Sequence, residues 1–271
     1  MGFNSMKVII LSAGQGRRLL PLTESRPKCS LPINGRPLLE WQLREISHCD
    51  VDEVVIATGY AAHVVEDIVA GLDLDGLQVR TEFNPFFEHC DNLGTCWLMR
   101  HEMRGEFIVL NGDTLFEAAV LQRLLEQRGA FPITLTADRK GHYDDDDMLI
   151  VSEGQRLERV GKRLGIPGVN GESIGMLAFD AGGGAAFVAM LDSVMRRREG
   201  LGSWYLSAID ALARTGAVGV CSIHGLGWCE VDTRLDLARA EEQQRRWPLQ
   251  AADHLRLSEE ESFQRSAASQ E

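Results

Sequence analysis

The sequence predicts an α/β domain in three layers, with a mostly parallel sheet covered by helices on both faces. Three observations carry that reading. Apolar, β-branched runs recur at Lys7-Val8-Ile9-Ile10-Leu11-Ser12, Val54-Val55-Ile56-Ala57-Thr58 and Phe107-Ile108-Val109-Leu110, continuous rather than alternating, as strands buried on both faces require. Stretches of helical spacing separate them, joined by short connections. The chain has 271 residues, 44% apolar and 25% charged, enough for one core of that size.

The first strand, residues 7–12, runs into the glycine turn Ala13-Gly14-Gln15-Gly16. Residues 35–47 have helical spacing, with Leu38, Leu39, Trp41 or Gln42, Leu43 and Ile46 marking the inner face. A second strand is expected over 51–58, then a helix through Val64, Ile68 and Val69. Strands at 77–83 and 107–110 follow, the latter ending in Asn111-Gly112-Asp113, and then a helix over 115–127 and a strand over 133–137. Beyond the Asp144–Asp147 carboxylate run, 148–160 reads as a hairpin and 161–171 as a loop. A strand at 173–179, helices at 187–198 and 205–214, and strands at 218–223 and 228–231 complete the pattern.

A net charge of −12, from 28 basic and 40 acidic residues, speaks against a sequence-independent nucleic-acid binder, and any phosphate site needs its own local cations. No apolar run approaches the roughly 20 residues of a membrane span. Residues 1–7 lack the charged-then-apolar pattern of a secretory leader, so the expected compartment is the cytoplasm. Six scattered cysteines form no C-x-x-C pair and read as reduced thiols.

The glycine turn invites a dinucleotide-binding reading, but the third position of G-x-G-x-x-G is Leu19, and Pro21 opposes an uninterrupted helix. A Walker loop is absent. The longer span fits another pattern. Leu11-Ser12-Ala13-Gly14-Gln15-Gly16-Arg17-Arg18-Leu19-Leu20-Pro21-Leu22-Thr23, then Pro27-Lys28, then Gly35-Arg36-Pro37-Leu38-Leu39-Glu40, resembles the signature of nucleotidyltransferases that activate sugar phosphates and related phosphoesters. Ser12 stands where Ala is commoner. Asn84-Pro85, Asp91-Asn92-Leu93-Gly94-Thr95, Gly161-Lys162 and Glu172-Ser173-Ile174-Gly175 further resemble the members that transfer CMP to phosphocholine and similar small phosphates.

The resemblance implies a Rossmann-like fold of the GT-A nucleotidyltransferase type over residues 6–245. A nucleotide half would span about 6–137 and an acceptor half about 138–245, with 248–271 expected as a flexible tail. It implies a Mg²⁺-dependent enzyme using a nucleoside triphosphate, CTP favoured, and a small phosphorylated acceptor, with no nucleic acid or membrane as partner. Leu11, Ala13, Gly14, Gly16, Asn92 and Asp113 would bind the nucleotide, and Arg18 and Lys28 would be catalytic. Asp113 and Asp232 would hold the metal; Lys162, Glu172 and Trp228 would meet the acceptor. The residues alone leave alternatives open. A strand-ending Asp often caps a helix, Lys162 reads equally as a solvated loop lysine, and a Trp at a strand end is more often core. Uridylyl or thymidylyl transfer to a sugar 1-phosphate, CMP transfer to an inositol phosphate or phosphonate, and a silent nucleotide-binding module are the rival functions. Oligomeric state is open, and a homo-oligomer is compatible with the sequence.

Overall fold

The computed structural model of the chain describes residues 6–74 and 76–247. The expected tail at 248–271 lies outside the described residues. In chain order the first half contains β1 (Lys7–Ser12), a short hairpin of β2 (Pro32–Ile33) and β3 (Arg36–Pro37), α1 (Leu38–Ser47), β4 (Glu53–Thr58), α2 (Ala62–Ala70) and β5 (Gln78–Phe83). There follow α3 (Asn92–Leu98), β6 (Phe107–Asn111), β7 (Thr114–Phe116), α4 (Ala118–Gln127) and β8 (Ile133–Asp138). The second half adds β9 (Leu149–Glu153), β10 (Arg156–Gly161), β11 (Gly171–Phe179), α5 (Ala181–Met195), α6 (Tyr205–Ala213), β12 (Val218–Ser222), β13 (Trp228–Glu230) and α7 (Arg234–Gln244).

Nine strands form one sheet in the order β5-β4-β1-β6-β11-β8-β12-β10-β9. β1 pairs in parallel with β4 and β6, β4 with β5, and β8 with β12, whereas β11 runs antiparallel to both β6 and β8. β10 runs antiparallel to both β12 and β9, so the sheet is mixed, with β11 and β10 running against the other seven strands, and strands from both halves of the sequence interleave in it.

The continuous apolar runs follow from burial on both faces. On β1, Val8 and Ile10 join one cluster with Leu39, Leu43, Ile46 and Leu121, under α1, α2 and α4. Ile9 points the other way, into a cluster with Phe107, Phe179, Phe187 and Tyr205, under α3, α5 and α6. A smaller cluster of Ile33, Leu38, Trp41, Leu115, Val231 and Ala240 lies beneath α7. The outer strand β5 carries the charged pair Arg80 and Glu82 alongside an exposed Phe83 at its end, and charges on an edge strand discourage edge-to-edge pairing.

Three helix starts differ from expectation. Residues 32–37 spend themselves on the β2–β3 hairpin, so α1 begins at Leu38 instead of Gly35. Thr114–Phe116 pair with β13 as β7, so α4 begins at Ala118 rather than at Leu115. Asp180 caps Gly183 N–H at 2.6 Å and starts α5 six residues before Phe187. All six cysteines are free, as expected of reduced thiols.

Candidate active site

β1, β4 and β6 are parallel and end at the same edge of the sheet, where open α/β sheets place their ligands. A cleft of about 210 Å³ opens there. Leu11, Ala13, Gly14, Gly16, Lys28, Asn92 and Asp113 all line it, together with Asn111 and Thr95. Seven positions singled out from sequence thus share one wall. Gly16 adopts φ +79° and a Cβ there would lie 2.7 Å from Lys28 Cβ, so this turn admits glycine and lets Lys28 lie against it. Gly14 faces open space.

Lys28 Nζ lies 2.5 Å from Asp113 Oδ2 and 2.6 Å from Asp232 Oδ1. Arg18 donates to Asp232 Oδ2 at 2.6 Å and to Asp146 Oδ2 at 3.0 Å. Residues 28, 113 and 232 are far apart in sequence, and the fold converges them through a short turn after β1, the end of β6 and the end of β13. Burial by itself would lower the Lys28 pKa; the charges of Asp113 and Asp232 outweigh it and hold the ammonium above its ordinary value. Burial works to raise Asp232, and Lys28, then Arg18, hold it below the usual carboxylate range.

A third carboxylate, Glu230, joins Asp113 and Asp232, and one oxygen from each lies within 4.8 Å of the others. Glu230 is exposed to solvent, and the crowding of the Asp113 and Asp232 charges against it raises its pKa above an ordinary carboxylate. Sequence reasoning missed Glu230, although two-residue spacing from Asp232 at a strand end was a usable signal. Asp232 is not the cap of the helix that follows. Thr233 caps α7, in a capping box with Asp236. Asp113 Oδ1 is buried without a hydrogen-bond partner. An orphaned carboxylate oxygen beside two further hard oxygen donors fits a divalent cation such as Mg²⁺.

A second cavity, of about 560 Å³, is walled by Arg18, Asp138, Lys140, Asp146, Glu172 and Trp228 and reaches Glu230 and Asp232. Trp228 Nε1 donates to Asp138 Oδ2 at 2.9 Å, which fixes the indole in the wall, where it also packs against the core. Glu172 pairs with Lys140 at 2.8 Å, yet burial pushes its carboxyl up to about 7. The Asp144–Asp147 run contributes three carboxylates to this wall. Lys162 is not part of it: its Nζ lies 3.3 Å from Asp146 and 4.7 Å above the Trp204 ring. Asn92 lines the first cleft, but its Oδ1 already accepts from Tyr205 N–H at 2.9 Å and ties α3 to α6.

A family model described as a MobA-like NTP transferase domain matches residues 8–157, over half of the chain. The chain belongs to the MobA-like NTP transferase domain family. It is 30% identical over 243 residues to CMP-5'-(3-aminopropyl)phosphonate synthase of Streptomyces rubellomurinus, covering 87% of this chain and 38% of that protein. It is 22% identical over 252 residues to CTP:phosphoglutamine cytidylyltransferase of Campylobacter jejuni, covering 86% and 98% respectively. The fold matches that of CTP:phosphocholine cytidylyltransferase from Streptococcus pneumoniae with a TM-score of 0.71, at 20% identity, over 88% of this chain and 98% of that one. Against several curated relatives this NTP transferase chain spans only 27% to 50% of their length.

Proposed function

We propose that the chain transfers CMP from CTP to a small phosphorylated acceptor carrying a positive charge, phosphocholine-like in character, and releases pyrophosphate. The observation that carries this reading is that a glycine-walled cleft and a carboxylate-walled cavity meet at one charge cluster, made by Arg18, Lys28, Asp113 and Asp232. The relatives' names, which speak of CMP and CTP and in one case of an aminopropyl phosphonate, support it.

In this mechanism an acceptor phosphate oxygen attacks the α-phosphorus of CTP in line. The new P–O bond forms as the bond from the α-phosphorus to the bridging oxygen breaks, and the electron pair departs with pyrophosphate. The acceptor oxygen is already anionic, so no general base is needed, and catalysis consists of positioning and charge stabilisation. Backbone N–H groups of the Gly14–Gly16 turn, Arg18 and Lys28 hold the departing phosphates. Asp113 and Asp232, with Glu230 beside them, would hold Mg²⁺, which when bound neutralises phosphate charge. Glu172 and the neighbouring aspartates face the cationic end of the acceptor, with the Trp228 ring as its cation–π surface.

The test is pyrophosphate release with Mg²⁺, pairing CTP, UTP, dTTP, ATP and GTP with phosphocholine, an aminoalkyl phosphate or phosphonate, inositol 1-phosphate and glucose 1-phosphate. Turnover is expected with CTP and a positively charged acceptor. Turnover with UTP or dTTP and glucose 1-phosphate would overturn the substrate assignment. Nucleotide binding with no release from any pair would favour a silent module.

A further inference from the structure

The inner face of α1 is apolar except at two positions, of which Gln42 is 1% exposed. Its amide nitrogen donates to Asn111 O at 2.9 Å and to Thr114 O at 2.8 Å, closing on the two ends of the turn that contains Asp113. Its amide oxygen is buried with no hydrogen-bond partner. Leaving that oxygen bare costs stability, so an apolar side chain would serve packing better. The amide therefore serves something other than packing.

The turn it closes is anchored on every side. Gly112 N–H donates to Leu11 O at 3.0 Å, and Val231 N–H donates to Asp113 O at 3.0 Å. Thr114 Oγ1 donates to Ile174 O at 2.8 Å, and the Tyr205 hydroxyl to Asn111 Oδ1 at 3.1 Å. The outcome is one carboxylate aimed at Lys28 with its other oxygen bare. Only Gln42 bonds both ends of the turn among the described residues, and it reaches them from a helix that touches neither cavity.

We propose that Gln42 is a positioning residue of this site: its amide clasps the Asn111–Thr114 turn and fixes the direction of the Asp113 carboxylate. This rests on the nucleotidyl-transfer reading. Outer groups that orient a metal-binding carboxylate typically change metal affinity or activity by about 10- to 100-fold when removed.

Two variants test it. Gln42→Met keeps the length and removes both donors; Gln42→Asn keeps the amide and shortens its reach by one carbon. The readouts are Mn²⁺ binding without substrates, by water-proton relaxation, and the separate kcat and KM values, all at 25 °C on protein shown to be folded by its thermal transition. Gln42→Met is expected to weaken Mn²⁺ binding about tenfold and lower kcat about 10- to 100-fold, with the acceptor KM within about twofold of wild type. Gln42→Asn should lose less of both. A folded Gln42→Met protein with wild-type Mn²⁺ affinity and kcat would overturn the proposal. Should Gln42→Met fail to fold, wild-type values in folded Gln42→Asn would overturn it equally. A wild-type protein that neither binds Mn²⁺ nor releases pyrophosphate would refute the underlying reaction instead, which separates the two failures.

Discussion

Replacing Lys28 by Met keeps most of its stem against Gly16 and removes the charge between Asp113 and Asp232. Two effects follow, and the geometry sets the size of each. The Lys28 side chain is 16% exposed and makes contacts of 2.5 and 2.6 Å, so it belongs with buried rather than surface pairs. Breaking such a pair costs about 3–5 kcal/mol, because the partner charges are left uncompensated. Partial exposure places this case near 3 kcal/mol. For a domain of this size each kcal/mol shifts the unfolding midpoint by about 2–4 °C, so Lys28→Met should melt about 6–12 °C below wild type in metal-free buffer. Removal of one preorganised group that stabilises developing charge should also lower kcat about 10²- to 10³-fold. Scanning fluorimetry with EDTA measures the first effect and pyrophosphate release the second. A Lys28→Met protein that turns over within about threefold of wild type and melts within about 2 °C of it would refute the reasoning.

Three further outcomes are expected. The Glu172 carboxyl, raised by burial from an ordinary 4.5 to about 7, keeps its proton in the folded state where the unfolded chain has released it. Stability is therefore fullest below pH 4.5 and declines as pH rises through 7, so Glu172→Gln should gain up to about 3 kcal/mol on wild type between pH 4.5 and 7, read from urea midpoints; a constant difference would refute the assignment. Gly175 has φ +74°, and a Cβ there would lie 2.3 Å from Asn111 Nδ2; Gly175→Ala should cost at least about 1–2 kcal/mol from backbone handedness and raise the nucleotide KM as Asn111 is displaced, and an unchanged KM would show that Asn111 does not serve the nucleotide. Trp228→Ala should raise the acceptor KM about 2- to 30-fold, the range of a cation–π contact, with the CTP KM unchanged; a rise confined to CTP would move Trp228 out of the acceptor cavity.

The parallel half of the sheet was legible because β1, β4 and β6 are buried on both faces and must be apolar throughout, and because β6 ends in an acidic turn. The glycine loop, Lys28, Asp113 and Asp232 were legible as a motif, and the fold brings them together. Elements made by tertiary pairing were not legible. β7 and β13 are three residues each and exist through each other, so residues 114–116 read as the start of a helix. α3 is one short stretch interrupted by Gly94 and Thr95, with too few turns to show a period. α7 is mostly polar, and its signal was its capping box at Thr233 and Asp236 rather than an apolar stripe. Gln42 was counted with the inner face of a helix, and nothing in its spacing announces the two carbonyls, some seventy residues onward, that it binds. Lys162 was placed by resemblance beside the acceptor; its Nζ pairs with Asp146, a residue of the second cavity's wall, and sits over the Trp204 ring.

The central claim is CMP transfer, and phosphorus NMR of CTP incubated with Mg²⁺, the protein and phosphocholine or an aminoalkyl phosphonate tests it directly. The expected result is loss of the β-phosphate triplet with growth of pyrophosphate and a coupled pair of resonances from the new P–O–P linkage. Growth of orthophosphate and CDP instead, or an unchanged CTP spectrum in the presence of bound nucleotide, would contradict it.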